Sequence, residues 1–241
     1  MNTLDGKVIL VTGGARGLGE AICRELSTAG ANVILADVRM DLANGVVNDI
    51  RGQGGSATAL ELDVMDERQI KTALENIKVE FGRLDALINS AGIDKTLSIE
   101  ELDVADWDCI MDVNLRAPFI LSKYTLPLMR EQGSGYIINI CSTAAKRAWP
   151  NASAYHASKW GLLGFTHALY TEARQYGVKV TALIPGGMRT PFLFDRFPDL
   201  DPNKLQDPKN VAQTIHFLLT LPDGSVIEEL NVLPLNETSW P

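Results

Sequence analysis

Tyr155 and Lys159 lie four residues apart, a spacing that places both side chains on one face of a helix. A free phenol titrates near pH 10 and is a poor base at neutrality. A neighbouring ammonium favours the phenolate and brings the group toward working pH, so the pair could pass a proton to and from an oxygen. Taken alone, Tyr-x-x-x-Lys is also ordinary on an amphipathic helix. Ser142 and Asn114, again singly, read as a turn or cap residue and a buried hydrogen-bonding group.

A second kind of chemistry sits near the N-terminus, in Thr12-Gly13-Gly14-Ala15-Arg16-Gly17-Leu18-Gly19. Glycines there permit a tight turn and close backbone approach to a pyrophosphate, and the helix that follows offers unpaired N–H groups. Asp37 follows after about twenty residues, the distance at which a carboxylate meets the adenosine ribose. It would accept from both ribose hydroxyls and repel a 2′-phosphate, which favours NAD over NADP. Arg16 and Arg39 pull the other way, since either could hold a phosphate.

The elements that must position these residues alternate along the whole chain. Strand patterns fall at 7–12, 32–36, 57–62, 86–89, 136–141, 179–184 and 226–230. Helical patterns occupy 18–29, 42–51, 67–81, 107–131, 154–176 and 208–221. Such alternation predicts a Rossmann-like, doubly wound α/β fold: a mostly parallel, seven-stranded sheet with helices on both faces, in three layers. One domain over 1–241 accommodates it. The irregular stretch 185–206 carries Pro191, Pro198 and Pro202 beside Phe192, Phe194 and Phe197, and it follows a strand, so residues 186–206 are expected to form a lid over substrate.

Composition narrows the partners. A net charge of −8 argues against nucleic acid or an anionic membrane as ligand. Three scattered cysteines, Cys23, Cys109 and Cys141, read as reduced thiols, and no metal site is expected. The apolar runs are too short to span a bilayer, and residues 1–7 lack the pattern of a signal peptide, so a cytoplasmic setting is expected.

The motifs in register, Thr12–Gly19, Asp63-Val64, Asn89-Ser90-Ala91-Gly92, Asn114, Ser142, Tyr155-x-x-x-Lys159 and Pro185-Gly186, closely resemble those of the short-chain dehydrogenase/reductase superfamily. The resemblance runs from about residue 7 to residue 235. It implies a hydride transfer between NAD(H) and a secondary alcohol or ketone, with Tyr155 as general acid/base. Lys159 would support Tyr155 and bond the nicotinamide ribose, Ser142 would bond the substrate oxygen, and Asn114 would hold a water linking Lys159 to solvent. Cofactor contacts would come from Gly13, Ala15, Arg16, Gly17, Leu18 and Gly19, from Asp37 and Val38, and from Asp63 and Val64 at the adenine. Asn89, Ala91 and Gly92 would stabilise the sheet beside the cofactor, and Pro185, Gly186 and Thr190 would lie over the nicotinamide. Ser90 departs from the family's usual second asparagine, and Gly187 would loosen the lid's hinge. The family also implies a homotetramer, with a dimer second, although the ending Pro234–Pro241, with Trp240, departs from the usual tail.

Substrate contacts are expected from Ser142, Arg147, Trp149, Tyr155, Met188 and Phe192. Lys146 and Arg147 beside Trp149 would suit an acidic or acyl-carrier substrate, or are simply solvated loop charges. His156 points to a different helix face from Tyr155 and reads as structural; His167 and His216 show no recognisable partner. Three alternatives differ in kind: an NADPH-dependent 3-oxoacyl-thioester reductase, a sugar-nucleotide epimerase, and a non-catalytic NAD-binding redox sensor. Intact Ser142, Tyr155 and Lys159 count against the sensor, and the length and the form of the glycine turn count against the epimerase.

Overall fold

Apolar runs without polar alternation require burial on both faces, and a parallel sheet covered by helices supplies it. The computed structural model describes residues 4–236 and contains such a sheet. Its strands are β1 (Val8–Thr12), β2 (Asn32–Asp37), β3 (Ser56–Glu61), β4 (Ala86–Asn89), β5 (Gly135–Ile140), β6 (Val178–Pro185) and β7 (Glu229–Val232). They lie in the order β3-β2-β1-β4-β5-β6-β7, every pair parallel.

Alternate residues of β1 face opposite layers. Ile9 and Val11 pack with helices α1 (Gly17–Thr28), α2 (Met40–Gly52) and α8 (Pro208–Leu219). Val8 and Leu10 pack with α3 (Glu67–Phe81), α5 (Ala117–Gln132) and α6 (Ser153–Ala173) on the other side. Helix ends follow local chemistry. The Asp66 carboxylate caps α3 by accepting from the Arg68 and Gln69 amides, and Gly82 closes it at φ 69°. Asp207 caps α8 ahead of Pro208.

Two expectations from sequence are corrected. The helix predicted over 107–131 is α4 (Val104–Met111) and α5 joined by one π turn, Asp112–Arg116, in which the Ala117 amide bonds the Asp112 carbonyl. Pro118 supplies a physical reason. It has no N–H, and in a regular helix its ring would crowd the carbonyl of residue 114, so a wider turn relieves it. The last strand starts at Glu229 rather than residue 226; before it, Ile227 packs against the core and its carbonyl accepts from Thr181 Oγ1. Trp240 lies outside the described residues.

Among the described residues, no helix is long and apolar enough to cross a membrane, and no group of His, Cys, Asp or Glu could hold a metal ion.

Candidate active site

At the carboxyl ends of the strands a cleft of about 1270 Å³ runs from the glycine turn to the segment after β6. At one end are Gly13, Arg16, Gly17, Leu18 and Gly19 with Asp37, Val38, Asp63 and Val64. The middle holds Ala91, Gly92, Ser142, Tyr155 and Lys159. At the far end are Pro185, Gly186, Met188, Thr190, Phe192 and Trp149.

The glycine turn is built for close approach. Gly13 has φ +67°, and a Cβ there would sit 2.8 Å from Ala91 Cα. Gly17, at φ +60°, faces Thr190 of the segment after β6, 3.4 Å from where its own Cβ would lie. Arg16 precedes α1 without capping it, which leaves the first-turn amides available to an anion. Asp37, at the end of β2, accepts from the Ala15 amide at 3.0 Å and from the Arg39 amide at 2.9 Å. This explains why Ala15 is buried behind the cleft while its amide fixes the carboxylate. Both doubtful arginines are engaged elsewhere: Arg16 pairs with Asp195 at 3.0 Å and Arg39 with Asp41 at 3.2 Å. Shape and donors together fit a dinucleotide.

The cluster of Ser142, Tyr155 and Lys159 lies on β5's exit and the start of α6. Ser142 follows β5, its Oγ accepting from the Ala144 amide at 3.2 Å, and it lines the same part of the cleft as Tyr155. Lys159 is buried one helical turn along, donating to the Ile140 carbonyl at 2.9 Å, with its ammonium 5.7 Å from the Tyr155 ring centre. Burial pushes the Tyr155 hydroxyl up to about 12, against the pull of neighbouring Ser142, and pushes Lys159 down to about 8. For the tyrosine this reverses the direction expected from sequence. Loss of solvent outweighs the lowering influence of Ser142 and of the Arg196 charge.

Residues around the cluster hold it in place. Asn114, fully buried in the π turn, donates to the Ile93 carbonyl at 2.8 Å and to Ser158 Oγ at 3.1 Å, and accepts from the Ile93 amide at 2.9 Å. It does not line the cleft. Gly92 lies between Asn114 and Lys159: a Cβ there would be 3.5 Å from Asn114 Oδ1 and 3.7 Å from Lys159 Nζ. Asn89 also sits behind the cleft, donating to Asn139 Oδ1 at 2.7 Å. His156 is structural, as expected. The Trp149 amide donates to its Nε2 at 3.1 Å, so Nδ1 carries the proton and donates to the Ala144 carbonyl at 3.0 Å. One imidazole thus ties down the loop that begins with Ser142.

The segment after β6 roofs the cleft through the short helix α7 (Pro191–Phe194) and the residues following it. Its base is closed by pairing of Met188 with Gln206 and by the Gln206 amide on the Gly187 carbonyl at 3.1 Å. Phe192 stands 5.8 Å from the Tyr155 ring, centre to centre. Sequence reasoning missed Arg196, which reaches from this roof to Asp94 on the opposite wall. No motif marks that pair. By contrast Arg147 is not among the lining residues, and Lys146 is drawn 2.9 Å onto Glu229. His167 and His216 do have acidic neighbours, Glu229 at 3.3 Å and Glu25 at 3.1 Å. Cys141 is buried and its thiol is pushed up to about 12, while Cys109 lines the cleft.

Residues 7–201 match the family described as "short chain dehydrogenase". The chain belongs to the short-chain dehydrogenase/reductase family. It is an NAD(P)-dependent oxidoreductase of that family, and its sheet has the family's Rossmann-like order. A cyclopentanol dehydrogenase of Comamonas sp. (strain NCIMB 9872) is 37% identical over 191 residues, covering 79% of this chain and 76% of the relative. The 3-oxoacyl-[acyl-carrier-protein] reductase FabG of Thermotoga maritima is 32% identical over 224 residues, 89% and 91% of the two chains. A metagenomic short-chain oxidoreductase crystallised in complex with NADP superposes with a TM-score of 0.86 at 32% identity, over 96% of this chain and 98% of the other.

Proposed function

We propose that this enzyme transfers a hydride between NAD(H) and a secondary alcohol or ketone, with Tyr155 as general acid/base. The observation that carries this reading is that Ser142, Tyr155 and Lys159 line one part of the cleft together, with Lys159 buried and its ammonium 5.7 Å from the Tyr155 ring centre. A substrate oxygen placed there meets two hydroxyls at once. For a ketone, Tyr155 Oη gives its proton to the carbonyl oxygen while Ser142 Oγ donates to the same oxygen. For an alcohol the proton returns to Tyr155 Oη. Lys159, protonated, stabilises the phenolate that forms. The nicotinamide supplies the hydride or accepts it. Held by the glycine turn at one end and facing Pro185, Gly186 and Thr190 at the other, it would lie along the cleft. Phe192 and the rest of the roof exclude water from the reacting atoms.

NAD is favoured over NADP by Asp37, whose carboxylate is aimed by two backbone amides, and by the engagement of Arg16 and Arg39 with other carboxylates. A relative bound to NADP is the observation on the other side. The acyl-carrier reading keeps a relative in its favour but loses its cationic pair, since neither Lys146 nor Arg147 lines the cleft. For assembly we take a homotetramer, or failing that a dimer. Exposed Phe119 on α5 and Trp160 on α6 support pairing through those helices, and light scattering of the purified protein would read it directly.

The test is a cofactor-reduction screen with NAD and NADP over a panel of secondary alcohols. Turnover with NAD in preference to NADP is expected. Exclusive use of NADP sinks the Asp37 argument, and no turnover of any alcohol or ketone moves the reading to a binding protein.

A further inference from the structure

Between the roof and the opposite wall lies a charged pair that the proton transfer does not use. Asp94, two residues beyond Gly92, is ion-paired with Arg196. The same guanidinium donates to Thr96 Oγ1 at 3.3 Å and to the Phe192 carbonyl at 2.9 Å, and it stacks 4.2 Å over the Phe192 ring. Asp94 is nearly sealed, with 4% of its side chain exposed, and Arg196 keeps 18%. Both line the same cleft as Tyr155. Phe192, which the guanidinium stacks on, also packs against Tyr155, so the pair stands one aromatic ring away from the reacting residue.

The carboxylate is only half used. Its Oδ2 takes the guanidinium, while Oδ1 is buried without any hydrogen-bond partner. Buried polar atoms are nearly always paired, so an orphaned carboxylate oxygen in the wall of a binding cleft calls for a donor from a ligand. The chemistry of that donor can be narrowed. Asp94 and Arg196 cancel as charges, so the spot does not favour an ionic group, and a substrate carboxylate would be repelled by Oδ1. A purely hydrocarbon alcohol would leave Oδ1 unpaired. A hydroxyl group donates to a carboxylate and can also accept from the guanidinium edge, and it brings no charge.

We propose that Asp94, held in place by Arg196, is a specificity-determining residue that receives a second hydroxyl of the substrate, so that the substrate class is a diol or polyol. This rests on the reading of Tyr155 as the acid/base for a secondary alcohol. The second hydroxyl anchors the molecule from the Asp94 side while the reacting hydroxyl meets Ser142 and Tyr155. Discrimination arises because the wrong substrate leaves a buried acceptor unsatisfied, a stronger selection than the loss of a methylene contact.

Matched pairs of alcohols test this on the whole enzyme: cyclopentanol against cyclopentane-1,2-diol and cyclopentane-1,3-diol, and butan-2-ol against butane-2,3-diol and a four-carbon tetritol. In the wild type, kcat/KM for at least one diol or polyol is expected to exceed that of its mono-ol by roughly tenfold or more, the scale of a hydrogen bond to a charged group. In Asp94→Ala the ratio of the two falls toward one, through loss on the hydroxylated partner. Mono-ols that equal or outrun every diol in the wild type overturn the proposal without touching the proton-transfer reading, and this result needs no variant to fold. Survival of the diol preference in Asp94→Ala overturns it as well. Turnover of none of these alcohols removes the oxidoreductase reading and this inference together.

Discussion

Asn114 grips the backbone of Ile93 from both sides, donating to its carbonyl and accepting from its amide, and thereby fixes the wall that follows Gly92. The grip depends on the π turn, which places Asn114 at a point where the helix path widens. Asn114→Ala takes their partner from the part-buried amide and carbonyl of Ile93 and removes a buried donor to Ser158 Oγ. Chemical denaturation should show a loss of about 1–3 kcal/mol, and kcat/KM should fall with it. A variant as stable and active as the wild type would show that the wall is held by other means.

Tyr155→Phe removes one oxygen and little volume. Steady-state rates should drop by about 10²–10⁴-fold or more, while NAD binding, read by fluorescence titration, stays close to that of the wild type. Retention of most activity with cofactor still bound removes Tyr155 from the mechanism.

The protonation state of Tyr155 sets opposite pH trends for the two directions. With the hydroxyl pushed up to about 12, the phenol holds its proton at neutrality, which suits donation to a ketone and opposes removal of a proton from an alcohol. Alcohol oxidation should therefore rise as pH increases from 6 to 9, with ketone reduction flat or falling. Initial rates across that range in both directions decide it; an oxidation rate that declines with pH contradicts the assignment.

Burying Lys159 costs the fold stability. Its ammonium is buried, and its pKa falls to about 8 from the 10.5 of a free lysine. Between those values the unfolded chain binds more protons than the folded one, so this residue's contribution to stability rises with pH through that window and is least favourable below pH 8. Lys159→Met should be inactive yet more stable than wild type at pH 7, by an amount on the order of 3 kcal/mol at most, less the lost bond to Ile140. Thermal melts of both proteins at pH 7 and pH 10 should show the gap narrowing at the higher pH. A gap that widens with pH points to a cause other than the buried charge.

Asp37→Ser tests cofactor choice. The hydroxyl neither repels a 2′-phosphate nor accepts from two ribose hydroxyls as a carboxylate does, and Arg39 remains next to it. The ratio of kcat/KM for NAD to that for NADP should fall by roughly tenfold or more. An unchanged ratio removes Asp37 from the choice.

How much of this was legible in the sequence depends on the range of the interactions. Residues 86–89 and 67–81 were placed at their observed limits, because a short apolar run and a capped amphipathic repeat are local signals. The register of Gly13–Gly19, Ser142 and Tyr155 with Lys159 pointed to residues that line one cleft, since the fold brings those strand ends together. The π turn was missed: its hydrogen bonds shift by one residue without changing the apolar pattern, and only Pro118 hints at it. Tyr155's direction of titration was misjudged because spacing reports a neighbouring charge but not the depth of burial. Asp94 and Arg196 are 102 residues apart, and neither belongs to a motif, so nothing short of the folded chain could pair them.

One buried feature bears on how the strands find their alignment. Asn89 and Asn139 face each other across β4 and β5, amide to amide, and Asn139 passes the contact to Thr166 on α6, whose hydroxyl ends on the Leu162 carbonyl. Everywhere else, the interiors of these two strands are aliphatic or aromatic and would slide past one another at little loss of contact. Slipping β4 by a single residue would break the Asn89–Asn139 bond and strand the Asn89 carboxamide among hydrocarbon side chains. The chain of amides therefore acts as a vernier between neighbouring strands. By keeping the ends of β4 and β5 level, it keeps Gly92 and Ser142 level too, and so the two walls of the reaction cleft meet at one height.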